Sequence, residues 1–204
     1  MDLFDSETSR VSHIVPLKDA MVSYTSYFYD AQKASEIYET LFSEIVWQED
    51  EITLFGKTHL QPRLTALYGD DETPYSYSGI VMTPRKFSRT LEKIKEDISN
   101  YTGEQFNAVL CNLYRHGKDS NGWHSDNEKE LGIDPFIASL SLGETRMFHL
   151  KHKQDPASKA KLPLVNGSLL CMGGATQTHF KHQVSKTQKQ VGPRINLTFR
   201  RLFK

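Results

Sequence analysis

The stretch Arg194-Ile195-Asn196-Leu197-Thr198-Phe199-Arg200 alternates strictly, with Arg194, Asn196, Thr198 and Arg200 on one side and Ile195, Leu197 and Phe199 on the other. Period-two alternation predicts a β-strand with two different faces. Upstream, 107–115, 136–142, 146–151, 167–172 and 180–185 read as further short strands, and 194–201 closes the series. Short strands between Gly, Pro, Asn and Asp turns predict a sandwich or barrel. Before them, 31–46 carries helical spacing (Ala34, Ile37, Tyr38, Leu41, Ile45), and Pro84 opens a second helix to about Ser99, with Phe87, Leu91, Ile94 and Ile98 on one stripe. Between the helices, 52–55 and 64–68 read as short strands joined by a loop containing Gly56 and Pro62, followed by a Tyr-, Ser- and Pro-rich loop from Asp70 to Gly79. The first 30 residues read as a polar lead-in and an aromatic patch, Tyr24 to Tyr29. The fold class is α+β, with a jelly-roll core and flanking helices. A single domain of 204 residues divides into an N-terminal extension and helix (1–50), a middle segment (51–105) and the β core (106–204).

The formal net charge is zero, which argues against indiscriminate polyanion binding by the whole molecule. Its distribution is uneven: residues 1–50 hold ten acidic and three basic side chains, whereas 156–204 hold nine basic and no acidic ones. That asymmetry can set a positive surface beside a site and let it meet phosphates. Cys111 and Cys171 are too few for a disulfide framework and lack metal-finger spacing, so both are expected as core thiols in a reducing compartment. The start has neither the basic region nor the apolar run of a signal peptide, and no run approaches the roughly 20 apolar residues of a membrane helix. The expectation is a soluble, monomeric protein that is not secreted, cytoplasmic in a bacterium or nuclear in a eukaryote.

The polar face of 194–200 carries two arginines and no acid. As an outer face it would simply be solvated. Turned inward it could chelate a small dicarboxylate, because guanidinium groups bind carboxylates through paired, charge-assisted hydrogen bonds. In 107–114 the alternation puts Asn112 and Tyr114 on one face. His124 and Asp126, at i and i+2 in extended chain, point the same way, as one metal ion requires. A third ligand is available from His179 or His182. Two imidazoles and one carboxylate form the facial triad of non-haem Fe(II) oxygenases, and this donor set fits structural zinc less well.

The order Asn-x-Tyr, His-x-Asp, distal His, Arg-x-Asn-x-Thr-x-Arg resembles the AlkB-type dioxygenases that depend on Fe(II) and 2-oxoglutarate, in the branch acting on alkylated double-stranded DNA. The resemblance runs from about Phe55 to Phe203 and includes Phe55-Gly56-Lys57, Pro62-Arg63, Tyr68-Gly69-Asp70, Tyr77-Ser78-Gly79 and Gly167-Ser168-Leu169-Leu170. It implies a double-stranded β-helix core behind an N-terminal nucleotide-recognition lid. It implies His124, Asp126 and His182 as iron ligands, with His179 a neighbour. It places Asn112, Tyr114, Arg194, Asn196, Thr198 and Arg200 around 2-oxoglutarate, Arg194 at the far carboxylate and Arg200 nearer the keto acid. The implied reaction consumes O2 and 2-oxoglutarate, yields succinate and carbon dioxide, and removes an N-methyl group from a base as formaldehyde. N1-methyladenine and N3-methylcytosine in DNA are the implied substrates. An RNA demethylase and a small-molecule or protein hydroxylase on the same core are the alternatives.

A methyl on the pairing edge is reached only when the base leaves the stack. The resemblance implies Tyr77 as the aromatic that sandwiches the base against His124, with Tyr75 and Ser78 at the base edge or nearby backbone. It implies Phe55 as a finger filling the duplex gap, projected by the turn at Gly56. Asn127 stands where relatives often carry aspartate, and Glu128 keeps a negative charge beside it, so an altered preference among cationic and neutral bases is expected. Lys57, Arg63, Lys151 and Lys153 are expected phosphate contacts, the last two within a basic loop with Lys159, Lys161 and nearby Arg146.

Overall fold

The structure, a computed structural model, describes residues 10–54, 57–71, 75–77 and 80–203. In chain order the elements are β1 (Ser12–Ile14), β2 (Met21–Thr25), α1 (Ala31–Glu44), β3 (Glu51–Leu54), β4 (Lys57–Leu60), β5 (Leu64–Gly69), β6 (Tyr75–Tyr77), β7 (Ile80–Met82), β8 (Arg85–Lys86), α2 (Arg89–Thr102) and β9 (Ala108–Tyr114). Then come β10 (Asn121–His124), β11 (Ile137–Gly143), β12 (Arg146–His152), β13 (Lys159–Leu164), β14 (Leu169–Gly173), α3 (Thr176–His179), β15 (Phe180–Val184) and β16 (Arg194–Arg200). Two sheets face each other. The large one has the order β1-β2-β14-β11-β16-β9-β5-β8 and the small one β10-β15-β12-β13. Two hairpins, β3–β4 and β6–β7, stand apart from both.

The helices cover the outer face of the large sheet. Asp30 Oδ1 accepts from the Lys33 amide to cap α1, and Ser88 Oγ accepts from the Leu91 amide to cap α2. Gly103, at φ +76°, ends α2 in the left-handed conformation that only glycine takes without strain. Ala34, Ile37 and Leu41 of α1 and Leu91, Ile94 and Ile98 of α2 pack on Val109, Cys111, Leu140, Ile195, Leu197 and Phe199. The apolar side of β16 is thus buried under helices, and its polar side turns into the space between the sheets. A second core, including Val22, Tyr114, Phe148, Leu150, Leu170, Met172 and Phe180, fills that space beside the polar wall.

Several elements differ from the sequence reading. The second helix begins at Arg89, not Pro84, because Arg85–Lys86 pairs in parallel with β5. The aromatic patch is in part a strand, β2, that pairs with β14. The large sheet therefore draws β1, β2, β5 and β8 from residues before 106. The supposed 56–62 loop contains β4, and the 70–79 loop contains β6. Both cysteines are free and buried, and burial pushes the Cys171 thiol up to about 12. Among the described residues no helix is long and apolar enough to cross a membrane.

Candidate active site

The wall of the site is a set of cross-strand pairs. β16 lies between β11 and β9, and its register sets Arg194 opposite Tyr114, Asn196 opposite Asn112 and Ser141, and Thr198 opposite Ser139. Alternation then puts these polar side chains on one surface. Arg194 is 1% exposed; its Nη2 donates to Ser141 Oγ at 2.9 Å, and its guanidinium carbon lies 5.2 Å from the Tyr114 ring centre. Among the described residues, Arg194 Nε and Nη1 have no hydrogen-bond partner. Burial pulls this guanidinium down to about 10, which leaves it cationic at neutral pH. A buried cation with idle donors is costly unless an anion meets it. Asn196 Nδ2 donates to Ser139 Oγ (2.8 Å) and Leu140 O (3.1 Å), and Thr198 Oγ1 donates to Asn196 Oδ1 (3.2 Å). Gly143, opposite Arg194, sits at φ +84°; a Cβ there would meet Pro193 O at 2.7 Å and the Tyr38 ring at 2.9 Å.

Across the cavity, the small sheet supplies the candidate metal centre. β10 pairs with β15 so that His124 and His182 are direct neighbours, with ring centres 4.2 Å apart. Asp126 follows two residues after His124. His124 Nε2 lies 3.6 Å from Asp126 Oδ1, and His182 Nε2 lies 4.0 Å from Oδ2. The three ligand atoms fall within 4.8 Å of one another. His124 Nδ1 donates to Gly122 O at 2.7 Å, which leaves the Nε2 lone pair facing the carboxylate. Burial is the main cause that lowers both imidazoles, His182 to about 3, so both stay neutral, the state in which an imidazole can bind a metal. Burial alone would raise Asp126; Arg200, with Nη2 3.1 Å from Oδ2, outweighs it together with the two histidines and holds the carboxyl ionised. Among the described residues, no hydrogen-bond donor meets the buried Asp126 Oδ1. An orphaned carboxylate oxygen between two imidazole nitrogens is the environment of a cation site.

One cavity is lined by both halves, from Asn112, Tyr114 and Arg194 on one side to His124, Asp126 and His182 on the other, with Asn196, Thr198 and Arg200 between. Its empty volume, partly continuous with solvent, is about 420 Å³. Residues 21–200 match the 2OG-Fe(II) oxygenase superfamily. The chain belongs to that superfamily. Bovine alpha-ketoglutarate-dependent dioxygenase alkB homolog 3 is 44% identical over 185 residues, which cover 86% of this chain and 64% of the relative. The chain thus spans just under two thirds of that relative's length. Human DNA oxidative demethylase ALKBH2 is 39% identical over 190 residues, 88% of this chain and 72% of the relative. The solved structure of OsALKBH1 superposes with a TM-score of 0.66 at 16% identity, covering 94% of this chain and all of that one, and agrees in fold.

The two groups in the superfamily's name fit the residues present. Two neutral imidazoles and a carboxylate with one idle oxygen suit Fe(II), and the idle donors of Arg194 suit a carboxylate of 2-oxoglutarate.

Several supports of the site carry no sequence motif. Gln177, on the four-residue α3, accepts the Asp126 amide on its Oε1 at 2.9 Å, and Ser125 Oγ donates to Phe180 O at 2.7 Å. Ser139 and Ser141 hold Asn196 and Arg194 from the neighbouring strand. Asn121 Nδ2 lies 3.2 Å from His124 Nε2, the nitrogen that faces Asp126. The serines could have been found by pairing 136–142 with 194–201 in register; Gln177 gave no signal at all.

Other expected residues fall as follows. His179 ends α3 and stacks on His152 at 5.6 Å, outside the cluster. Asn127 is exposed and Glu128 half-buried, both following Asp126. Tyr75 and Tyr77 belong to β6 and Lys57 opens β4. Phe55, Gly56 and Ser78 lie outside the described residues. Lys151 is exposed on β12, its ammonium 4.2 Å from the Trp123 ring centre, while Lys153 Nζ donates to Gln177 O at 2.9 Å.

Two expectations are corrected. Lys159 and Lys161 lie on β13, paired with β12, and not in a loop. Arg63, expected as a phosphate contact, is buried and bonds Asn112 and Ser120; Arg146, beside the basic region, is buried too, its Nη2 donating to the carbonyls of Asp119 (2.8 Å) and Ser185 (2.7 Å).

Proposed function

We propose that this chain oxidatively removes N-alkyl groups from DNA bases such as N1-methyladenine and N3-methylcytosine, consuming 2-oxoglutarate and O2 and releasing succinate, carbon dioxide and formaldehyde. The observation that carries the reading is the juxtaposition of the His124, Asp126 and His182 cluster with the idle guanidinium donors of Arg194 in one cavity. The names of the relatives, a dioxygenase and a DNA oxidative demethylase, point the same way.

Iron bound by the cluster would supply the redox chemistry that couples oxidation of the cosubstrate to oxidation of the N-alkyl carbon. The chain's own residues bind, orient and exclude water. Arg194 and Tyr114 take the distal carboxylate, while Asn112 donates along the body of the cosubstrate. Arg200 stays paired with Asp126 and keeps that carboxylate ionised. Phe148, stacked on His182 at 5.3 Å, shields the imidazole from solvent.

The proposal gives the flipped base to the segment carrying Tyr75, Tyr77 and Ser78, with Asn127 and Glu128 at its edge, and the duplex gap to Phe55 and Gly56. Phosphates fall to Lys57 and to the outer face of the small sheet. There Lys151 pairs in register with Lys159 and Lys181, and all three are exposed. Lys153 stands beside them. Binding through this face falls steeply with salt. The reading is of a monomer acting where the cell keeps its DNA.

The test is incubation with Fe(II), 2-oxoglutarate and oligonucleotides bearing N1-methyladenine, N3-methylcytosine or etheno adducts, single- and double-stranded, following base mass and succinate. Lesion-dependent succinate with restored bases is expected. Succinate formed without regard to the lesion, with no base restored, overturns the DNA reading.

A further inference from the structure

Arg63 is a large buried cation that the reaction as described does not use. It is 4% exposed, and among the described residues no carboxylate pairs with it. Its Nε donates to Asn112 Oδ1 at 2.8 Å and its Nη1 reaches Ser120 O at 3.4 Å. The Ser120 amide returns a bond to Pro62 O at 2.8 Å. Arg63 therefore sits where the β3–β4 hairpin joins β5, touching both a residue of the cosubstrate wall and the residue just before the metal-bearing β10.

The chemistry of the contact fixes one choice. A primary amide has an accepting end and a donating end, and either can face a given direction. A guanidinium only donates, so the end of Asn112 that meets Arg63 must be oxygen. The Nδ2 end is then the one left for the cavity that Asn112 lines. A dicarboxylate offers only acceptors, so a site for it needs donors. We propose that Arg63 is a positioning residue for the cosubstrate: it locks the Asn112 amide with its donor end toward 2-oxoglutarate. The inference rests on the reading of this cavity as the 2-oxoglutarate site, and it replaces the phosphate contact expected from the sequence.

Binding of 2-oxoglutarate to the Mn(II)-loaded protein, followed by calorimetry without turnover, tests it. Arg63→Gln removes the charge and the forced amide orientation, and should weaken 2-oxoglutarate about tenfold, the effect of losing a hydrogen bond to a charged group. Mn(II) affinity measured without 2-oxoglutarate should stay within about twofold, a margin within the usual scatter of such comparisons. Combined with Asn112→Ala, the double variant should bind no more weakly than the worse single one, since both act through one amide. Asn112→Asp covers the case in which Arg63→Gln does not fold. It keeps the shape and pairs with Arg63, so the fold holds, yet both ends are now acceptors and 2-oxoglutarate affinity should fall at least about tenfold. Unchanged 2-oxoglutarate affinity in Asn112→Asp, or in a folded Arg63→Gln that binds duplex DNA more weakly, overturns the inference and returns Arg63 to the phosphates. Wild-type protein that binds no 2-oxoglutarate overturns the cosubstrate reading and this inference with it.

Discussion

The wall bearing Arg194, Asn196 and Thr198 lies in the middle of an eight-stranded sheet, whereas two of the three candidate metal ligands, His124 and Asp126, lie on or just past the edge strand of a four-stranded one. β16 is flanked on both sides, and its pairing with β9 runs unbroken from Arg194 opposite Tyr114 to Arg200 opposite Ala108. There the backbone ladder fixes the face to which each side chain points. β10 pairs on one side only, and its register shifts between Asn121 and His124. A bulged edge re-aims a side chain but does not hold it. The metal rim is therefore fixed by separate bonds: His124 to Gly122 O, the Asp126 amide to Gln177, Ser125 to Phe180 O. One half of the site is held by repetition and the other by individual contacts, so the two should fail separately.

The largest effect comes from the candidate metal cluster itself. His182→Ala is predicted to abolish turnover and to lower Fe(II) or Mn(II) affinity by two orders of magnitude or more, roughly what loss of a direct ligand adds beyond the 10–100-fold of an outer-shell partner. His179→Ala should leave both near wild type, because its ring stacks on His152 away from the cluster. Metal titration by calorimetry checks both, and the reverse pattern would overturn the ligand assignment.

Next is the wall. Arg194→Gln should raise the KM for 2-oxoglutarate about 10- to 100-fold, the range expected when a charge-assisted hydrogen bond is lost. Metal affinity without 2-oxoglutarate should not move. If metal affinity falls as far as cosubstrate affinity, the two halves are one unit and the comparison fails.

A smaller effect tests the bonds that replace a ladder at the rim. Gln177→Ala removes the acceptor of the Asp126 amide, and metal affinity should drop about tenfold, the lower end for outer-shell partners. A 2-oxoglutarate affinity measured at saturating metal should be nearly unchanged. Equal metal affinity in the variant would mean that the edge strand holds Asp126 unaided.

The same contrast governs what could be read in the residues. β9, β11, β12, β14, β15 and β16 were legible because alternation and turn residues mark them, and the polar side of 194–200 turns inward as a dicarboxylate site requires. β13 was not, although Ala160, Leu162 and Leu164 alternate inward. Lys159, Lys161 and Pro163 gave the segment the composition of a loop, and Pro163 is tolerated because β13 is an edge strand. β2 was hidden among aromatics whose strand character depends on pairing with β14, nearly 150 residues away. The metal-ligand candidates were legible as a motif, but Gln177 and the inward turn of Arg63 were not. Each depends on a contact between distant segments that no local period encodes.

The smallest predicted effect lies at the exposed rim of the site. Asn127 follows Asp126 and is open to solvent, so it belongs to neither the ladder nor the buried ties. N1-methyladenine and N3-methylcytosine carry a positive charge, and an amide offers them hydrogen bonding without a counter-charge. Asn127→Asp should therefore raise the rate on cationic lesions relative to neutral etheno adducts by a few fold, as about 0.2–1 kcal/mol for an exposed charge pair allows. The gain should shrink as salt rises, because screening acts on exposed pairs far more than on buried ones. Stability and 2-oxoglutarate affinity should not follow. Competition between the two lesion types in one reaction, at low and high salt, measures the ratio directly. A ratio that stays fixed at low salt would place the choice of base elsewhere on the site.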